Sequence, residues 1–131
     1  MKNYRVPVLC LVSDDLQLAY LINRYAENCG CRLIQIGQVE PLIQNLSRGQ
    51  ADLILLDVSQ VDPEFWAVIN QLKSMADLCE IPLVLYSAND IAWQSGELDG
   101  YKRLSHSVLF EEFKRIVIES GIHIPNEGRG G

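Results

Sequence analysis

A carboxylate closes one of the most apolar stretches of the chain. The segment ADLILLDVSQ, residues 51–60, places a run of aliphatic side chains directly before Asp57. A pair of acids, Asp14 and Asp15, follows the apolar run VPVLCLV in a similar way. Carboxylates that lie close together repel each other, so such a site usually shares a proton or binds a hard cation. Mg²⁺ suits this donor set, because it accepts one or two carboxylates, a carbonyl oxygen and several waters.

The elements that must position these acids begin with five short strands. Continuous apolar runs at 6–12, 53–56 and 81–86 are typical of strands buried on both faces of a parallel sheet. The mixed segments 32–36 and 101–105 are typical of strands at the edges of such a sheet.

Segments with helical spacing separate the strands. Apolar residues between positions 18 and 29 recur every three or four residues, which predicts a helix with one buried face. Four more helices are predicted. One spans 41–49, one follows Asp62, and a short one lies within 90–100. The last begins at Ser107, ends before Gly121 and has Leu109 on its buried face.

This order, βαβαβαβαβα, predicts an α/β fold with a five-stranded parallel sheet covered by helices on both faces. Three apolar and two mixed strands fit the flavodoxin-like order 2-1-3-4-5, in which the second and fifth strands are the edges. We expect residues 1–121 to form one domain and residues 122–131 a flexible C-terminal tail.

The carboxyl ends of the strands are where open α/β sheets bind ligands, next to the switch point between the first and third strands. The polar side chains that the strand ends bring to this edge are Ser13, Asp14, Asp15, Asp57, Ser59, Ser87, Ser105 and His106. Acids from two adjacent central strands are therefore predicted to face each other.

Composition excludes several classes of function. The net charge of −6 argues against direct binding to nucleic acid or to anionic membranes. No apolar run approaches the length of a membrane span, and no early segment has the layout of a signal peptide, so a cytoplasmic protein is expected. The four cysteines are predicted to be reduced and buried. Cys29 and Cys31 are too closely spaced for the usual zinc pair.

Four segments together resemble the receiver domain of two-component response regulators: VSDDLQLAYLI, ADLILLDV, IPLVLYSA and LSHSVLFEEF. The resemblance covers nearly the whole chain. It implies that Asp57 is both the phosphoacceptor and a ligand of Mg²⁺, with Asp14 and the backbone carbonyl of Ser59 as the other ligands. Asp15 is either a further ligand or the cap of the first helix. The Ser87 hydroxyl would hydrogen-bond the phosphoryl group.

Several positions depart from the family pattern. Ser13 stands where the family has the first of two acids, and Arg103 stands at the position of an aromatic switch residue. His106 replaces the family's Lys, and Ser107 replaces the Pro that follows it. A neutral imidazole can donate one hydrogen bond, but it does not supply the fixed charge of an ammonium group.

The resemblance implies a phosphoprotein of a two-component phosphorelay, in which a histidine kinase or small phosphodonor modifies Asp57 with Mg²⁺ bound. The face made by the fourth helix, the fifth strand and the last helix would then repack, and it could contact a signalling partner or a second copy of the chain. The departures favour a second hypothesis, a degenerate receiver that acts as a phosphorylation-independent protein-interaction module. An aspartyl-phosphate hydrolase fits poorly, because Ser59 stands where its second acid belongs. The chain is therefore expected to be a signalling module and not an enzyme.

Overall fold

The chain alternates strands and helices as the sequence predicts. The computed structural model describes residues 6–37, 51–59, 63–78, 80–89, 91–94, 96 and 100–124. The strands are β1 (Val8–Val12), β2 (Arg32–Ile36), β3 (Leu53–Asp57), β4 (Leu83–Ser87) and β5 (Lys102–Ser105). The helices are α1 (Leu16–Asn28), α2 (Pro63–Leu78), the short α3 (Ile91–Gln94) and α4 (Phe110–Glu119). The helix expected at 41–49 lies outside the described residues.

The strands form one parallel sheet in the order β2-β1-β3-β4-β5, which confirms the predicted topology and both predicted edges. The register sets the position of the site. Val12 pairs with Leu56. The residues that follow them, Ser13 and Asp57, therefore lie side by side at the carboxyl edge of the sheet. Asp57 in turn pairs with Tyr86 of β4.

Two apolar layers, one on each face of the sheet, explain why the central strands are apolar without interruption. Side chains alternate between the faces of a strand, so a strand covered on both sides needs apolar residues at every position. One layer joins β1, β3 and β4 to α1 and α4, and its largest members include Leu9, Leu11, Ile22 and Phe113. The other layer packs β1, β3 and β4 against α2 through Ile54, Leu56, Ile69, Leu72 and Leu85. Complete burial of each such side chain stabilises the fold by about 1.5–3 kcal/mol.

Prolines account for two differences between predicted and observed strand bounds. β1 begins at Val8 and β4 at Leu83, each two residues later than predicted and each directly after a proline, Pro7 or Pro82. Proline has no backbone N–H to donate to a neighbouring strand, so it stands before the ladder and not within it.

The last helix also begins later than predicted. It starts at Phe110 instead of Ser107, and Leu109 is its extended N-cap, with φ −92° and ψ 150°. The prediction that Leu109 is buried is wrong, since its side chain is 67% exposed. Neighbouring side chains of extended backbone point to opposite sides, and here Val108 takes the buried side.

The start of the predicted C-terminal tail packs on the fold. Ile124 is buried in the layer that contains α1 and α4, and Ile122 packs against the same layer. Residues 125–131 lie outside the described part. None of the described helices is long and apolar enough to cross a membrane.

The three cysteines in the described part of the chain are buried and form no disulfide there, as the sequence predicts. Cys10, Cys29 and Cys31 all lie within the apolar layers, whereas Cys79 is outside the described residues. Burial raises the pKa of the Cys10 thiol to about 11, and burial with the nearby Cys29 and Asp52 raises the pKa of Cys31 to the same value. The thiolate forms that react or bind metals are therefore disfavoured.

Candidate functional site

Asp57 ends β3 at the carboxyl edge of the sheet, where its half-buried carboxylate accepts three hydrogen bonds. Ser13 Oγ donates to Oδ2 at 2.6 Å. Oδ1 accepts from both the backbone N–H and the hydroxyl of Ser59, at 2.9 and 2.6 Å. Three of the roughly four acceptor positions of a carboxylate are thus filled by groups of the protein itself. Hydrogen bonds to a charged group of this kind each contribute about 1.5–3 kcal/mol.

Ser13 is held in place by the backbone around it. Its N–H donates to the Ile36 carbonyl of β2 at 2.9 Å, and its own carbonyl accepts from the side-chain amide of Gln35. Its Oγ also accepts from the backbone N–H of Asp15 at 3.0 Å. Only 5% of the residue is exposed. Ser13 therefore presents its hydroxyl proton to Asp57 from a fixed position.

Ser59 connects Asp57 to the loop that follows β4. Its hydroxyl, while donating to Asp57, accepts the backbone N–H of Ala88 at 2.8 Å. The Ser59 carbonyl, which the resemblance implies is a metal ligand, accepts a hydrogen bond from the side-chain amide of Asn89 at 3.5 Å. The hydroxyl and the carbonyl of Ser59 thus contact residues 88 and 89.

The two acids after β1 have different roles. Asp15 is the N-cap of α1: its Oδ1 accepts the backbone N–H groups of Gln17 and Leu18 at 3.0 and 3.1 Å. This is the capping role that the sequence allowed for it. Asp14 is exposed, and within the described part of the chain it has no hydrogen-bond or ion-pair partner.

Ser87 lies at the end of β4 and is 1% exposed, but its hydroxyl engages its own loop. Ser87 Oγ donates to the Asn89 carbonyl at 2.5 Å and accepts the Asn89 N–H at 3.2 Å. The side chain predicted to contact a phosphoryl group therefore closes a local turn.

His106 follows β5 and is exposed at the same edge. Its backbone N–H donates to the Ser87 carbonyl at 3.2 Å, and its Nδ1 lies 3.5 Å from the hydroxyl of Tyr86. Burial, together with the negative charges of Asp57 and Asp15, raises the pKa of Tyr86 above its ordinary value. Tyr86 thus joins the site as a neutral phenol beside the imidazole.

Of the donor set that the sequence predicts for a divalent cation, the structure leaves Asp14, Asp57 and the Ser59 carbonyl as candidates. A hard cation needs several oxygen ligands that converge on one point. Among the residues that the structure describes, no three His, Cys, Asp or Glu side chains come together in a way that could hold a metal ion. Asp15 is committed to the cap of α1, and Ser13 brings a hydroxyl proton to Asp57 where a ligand oxygen would be needed.

The predicted switch position carries a cation–π pair. The guanidinium of Arg103 in β5 lies 4.7 Å from the ring centroid of Trp93 in α3. The indole Nε1 of Trp93 is buried and has no hydrogen-bond partner among the described residues. The pair ties the short α3 to the edge strand.

Two of these relationships, Ser13 with Asp57 and Tyr86 with His106, are not predicted by the sequence. The sequence predicts that Ser13 lies at this edge but not that it donates to Asp57, and it indicates no role for Tyr86 there. The signal for Ser13 was available: a hydroxyl that follows one central strand stands level with an acid that ends its neighbour. The orientation of Ser87 and the contact between Tyr86 and His106 depend on side-chain rotamers, which no sequence pattern specifies.

The strand order 2-1-3-4-5, with an acid at the end of the third strand, is the flavodoxin-like arrangement that the sequence predicts. Solved structures of receiver domains share this fold, so the resemblance seen in the sequence is confirmed at the level of the fold. Comparison with models of protein families and with curated protein sequences found no match.

Three of these structures are typical. The receiver domain of a sensor histidine kinase from Pseudomonas aeruginosa, with a magnesium ion coordinated in its active-site cleft, has a TM-score of 0.73 at 16% identity, covering 90% of this chain and 100% of that one. A response regulator receiver protein from Burkholderia phymatum gives 0.69 at 18% identity, covering 91% and 98%. A receiver protein from Sinorhizobium medicae gives 0.68 at 16% identity, covering 88% and 94%.

Proposed function

We propose that this chain is a signalling module of the two-component receiver type that works through protein contacts, without a cycle of metal binding and phosphorylation at Asp57. It is a binding module and not an enzyme, and it operates in the cytoplasm. Its partner is a histidine kinase or another signalling protein, and nucleic acid is not bound directly.

One observation carries this proposal: Ser13 donates a 2.6 Å hydrogen bond to Asp57 from the position where the family has an acid. A hydroxyl proton next to a carboxylate stabilises its negative charge in the way that a cation otherwise would. The negative charge of Asp57 is therefore stabilised without a bound metal ion. The exposed imidazole of His106, in place of an ammonium, removes a fixed positive charge that a phosphoryl group would need.

The test is a phosphorylation assay. The purified chain is incubated with Mg²⁺ and acetyl phosphate and its intact mass is measured; a parallel sample with Mg²⁺ and beryllofluoride is followed by ¹⁹F NMR. We expect no phosphorylated species and no bound beryllofluoride, whereas a receiver domain with both acids and the Lys, treated identically, gives both. A modified species that disappears in Asp57→Asn would overturn the proposal.

A second candidate is phosphoryl transfer to Asp57 with Mg²⁺ bound, from a histidine kinase or a small phosphodonor. The position of Asp57 favours it, because the carboxylate is only half-buried at the edge where open α/β sheets bind ligands. The magnesium ion of the similar histidine kinase receiver domain also supports it. In this case Asp14 and the Ser59 carbonyl are the remaining candidate ligands, and the assay above gives a positive result.

A further inference from the structure

A single hydroxyl group joins the end of β3 to the loop after β4. Ser59 Oγ donates to Asp57 Oδ1 at 2.6 Å and accepts from the backbone N–H of Ala88 at 2.8 Å. A serine hydroxyl has one proton to donate and two acceptor positions. Its proton is therefore used by Asp57, and Ala88 is held by the same oxygen atom.

The loop that Ser59 holds leads directly to α3. Asn89 is bonded to Ser59 through its side-chain amide and to Ser87 through its backbone. α3 begins two residues later, at Ile91, and carries Trp93, which packs under Arg103 of β5. A change in the hydrogen bond between Ser59 and Ala88 thus affects the loop that leads into α3, and α3 contacts the edge strand β5.

We propose that Ser59 is the positioning residue that couples the Asp57 carboxylate to the conformation of residues 88 and 89. The inference rests on the proposed signalling role. A charged carboxylate accepts a short, strong hydrogen bond, which polarises the hydroxyl and makes its oxygen a better acceptor for Ala88. Loss of the carboxylate acceptor at position 57 weakens both bonds, because both pass through the Ser59 hydroxyl oxygen. In this chain the loop is held by Ser59 itself.

A double-mutant cycle tests the coupling, with amide hydrogen exchange of Ala88 measured by NMR in the unmodified protein, Asp57→Asn, Ser59→Ala and the double variant. We expect each single substitution to speed exchange by about fivefold, the factor that corresponds to about 1 kcal/mol of lost hydrogen bonding. The double variant should be no faster than Ser59→Ala alone, since interacting residues are not additive. An Asp57→Asn effect of the same size with and without Ser59 would overturn the inference.

Two controls separate coupling from a general loss of structure. Ser59→Thr keeps the hydroxyl and should restore slow exchange at Ala88. The Leu11 amide, in the buried strand β1, reports whether each variant remains folded. If Asp57→Asn does not fold, the ¹³C shift of the Asp57 carboxyl and the ¹⁵N shift of Ala88 are compared: both must move in Ser59→Ala and return in Ser59→Thr. An Ala88 shift that stays fixed in Ser59→Ala also contradicts the inference.

This outcome is independent of the phosphorylation assay. A positive assay would overturn the proposed function and leave the measured coupling in the unmodified protein unchanged. An additive cycle would overturn the coupling while a negative assay still stands.

Discussion

Ser13 Oγ lies 2.6 Å from Asp57 Oδ2 and so connects the residue after β1 to the last residue of β3. The parallel register of the two strands brings these residues level, although 44 positions separate them in the sequence. With two donors from Ser59 on the other oxygen, the carboxylate is satisfied by neutral groups. The acid at this sheet edge is therefore held by hydroxyl and amide donors of the protein itself.

Removing the Ser13 hydroxyl should destabilise the protein. Ser13 is itself only 5% exposed, and Ser13→Ala leaves Asp57 Oδ2 and the Asp15 N–H without this partner, so we expect a loss of about 1–3 kcal/mol in the free energy of unfolding. Urea denaturation measures this loss in the free energy of unfolding. Ser107→Ala, at an exposed serine, is the matched control and should change stability by no more than about 0.5 kcal/mol. Equal midpoints for the two variants would contradict the assigned role of Ser13.

The adjacent acids Asp14 and Asp15 should differ in their effect on stability. Asp15→Ala removes the cap of α1 and should cost about 1 kcal/mol, with an accepted range of about 0.5–2 kcal/mol. Asp14→Ala should be close to neutral, because the exposed Asp14 has no partner among the described residues. Thermal or urea unfolding without divalent cations compares them. A larger loss from Asp14→Ala than from Asp15→Ala would show that the two roles are assigned the wrong way round.

The buried thiols should make stability depend on alkaline pH. Burial raises the folded-state pKa of Cys10 from 9.0 to about 11, and that of Cys31 likewise. The folded state therefore holds these protons more tightly, so the stabilisation is complete below pH 9.0 and is lost as the pH rises through about 11. The slope of unfolding free energy against pH should be negative in this window. Tyr86 and Tyr101, whose pKa values are also raised by burial, act in the same direction.

A variant isolates the contribution of the thiols. In Cys10→Ala/Cys31→Ala the overall stability will be lower, but the slope between pH 9.0 and 11 should become shallower. In the unmodified folded protein, alkylation of Cys10 by iodoacetamide at neutral pH should be slow and should accelerate on unfolding. Rapid labelling of Cys10 in the folded state would contradict its burial.

The pair formed by Arg103 and Trp93 should be visible by fluorescence. In a Trp66→Phe background, Trp93 is the remaining indole, and Arg103→Ala exposes one face of its ring. We expect its emission to move to longer wavelength and the free energy of unfolding to fall by about 0.5–1 kcal/mol. Arg103→Lys should retain part of the contact. An emission maximum that is identical in all three proteins would show that the guanidinium does not cover the ring.

The sequence predicted the fold because the fold depends on strong, repeated signals. Uninterrupted apolar runs identified the strands covered on both faces, and the mixed segments identified the edges β2 and β5. The errors lie at element ends, where single residues decide. Pro7 and Pro82 delay two strands, and Leu109 is exposed because Val108 takes the buried side before α4.

The composition of the site was also predictable, but its connections were not. Strand ends and register place Ser13, Asp57 and His106 at one edge. Which donor meets which acceptor depends on rotamers and on short loops. The turn closed by Ser87 and the bridge through Ser59 are examples, since each depends on the direction in which one hydroxyl points.

The most direct test of the account is a Mg²⁺ titration of the unmodified protein and of Ser13→Asp, followed by amide chemical shifts at residues 13, 57, 59 and 88. We expect no saturable change in these amide chemical shifts in the unmodified protein at millimolar Mg²⁺. In Ser13→Asp we expect a saturable change, because a second carboxylate beside Asp57 then requires a cation. Saturable binding to the unmodified protein at these residues, abolished by Asp57→Asn, would contradict the claim that serine hydroxyls hold Asp57 in place of a metal.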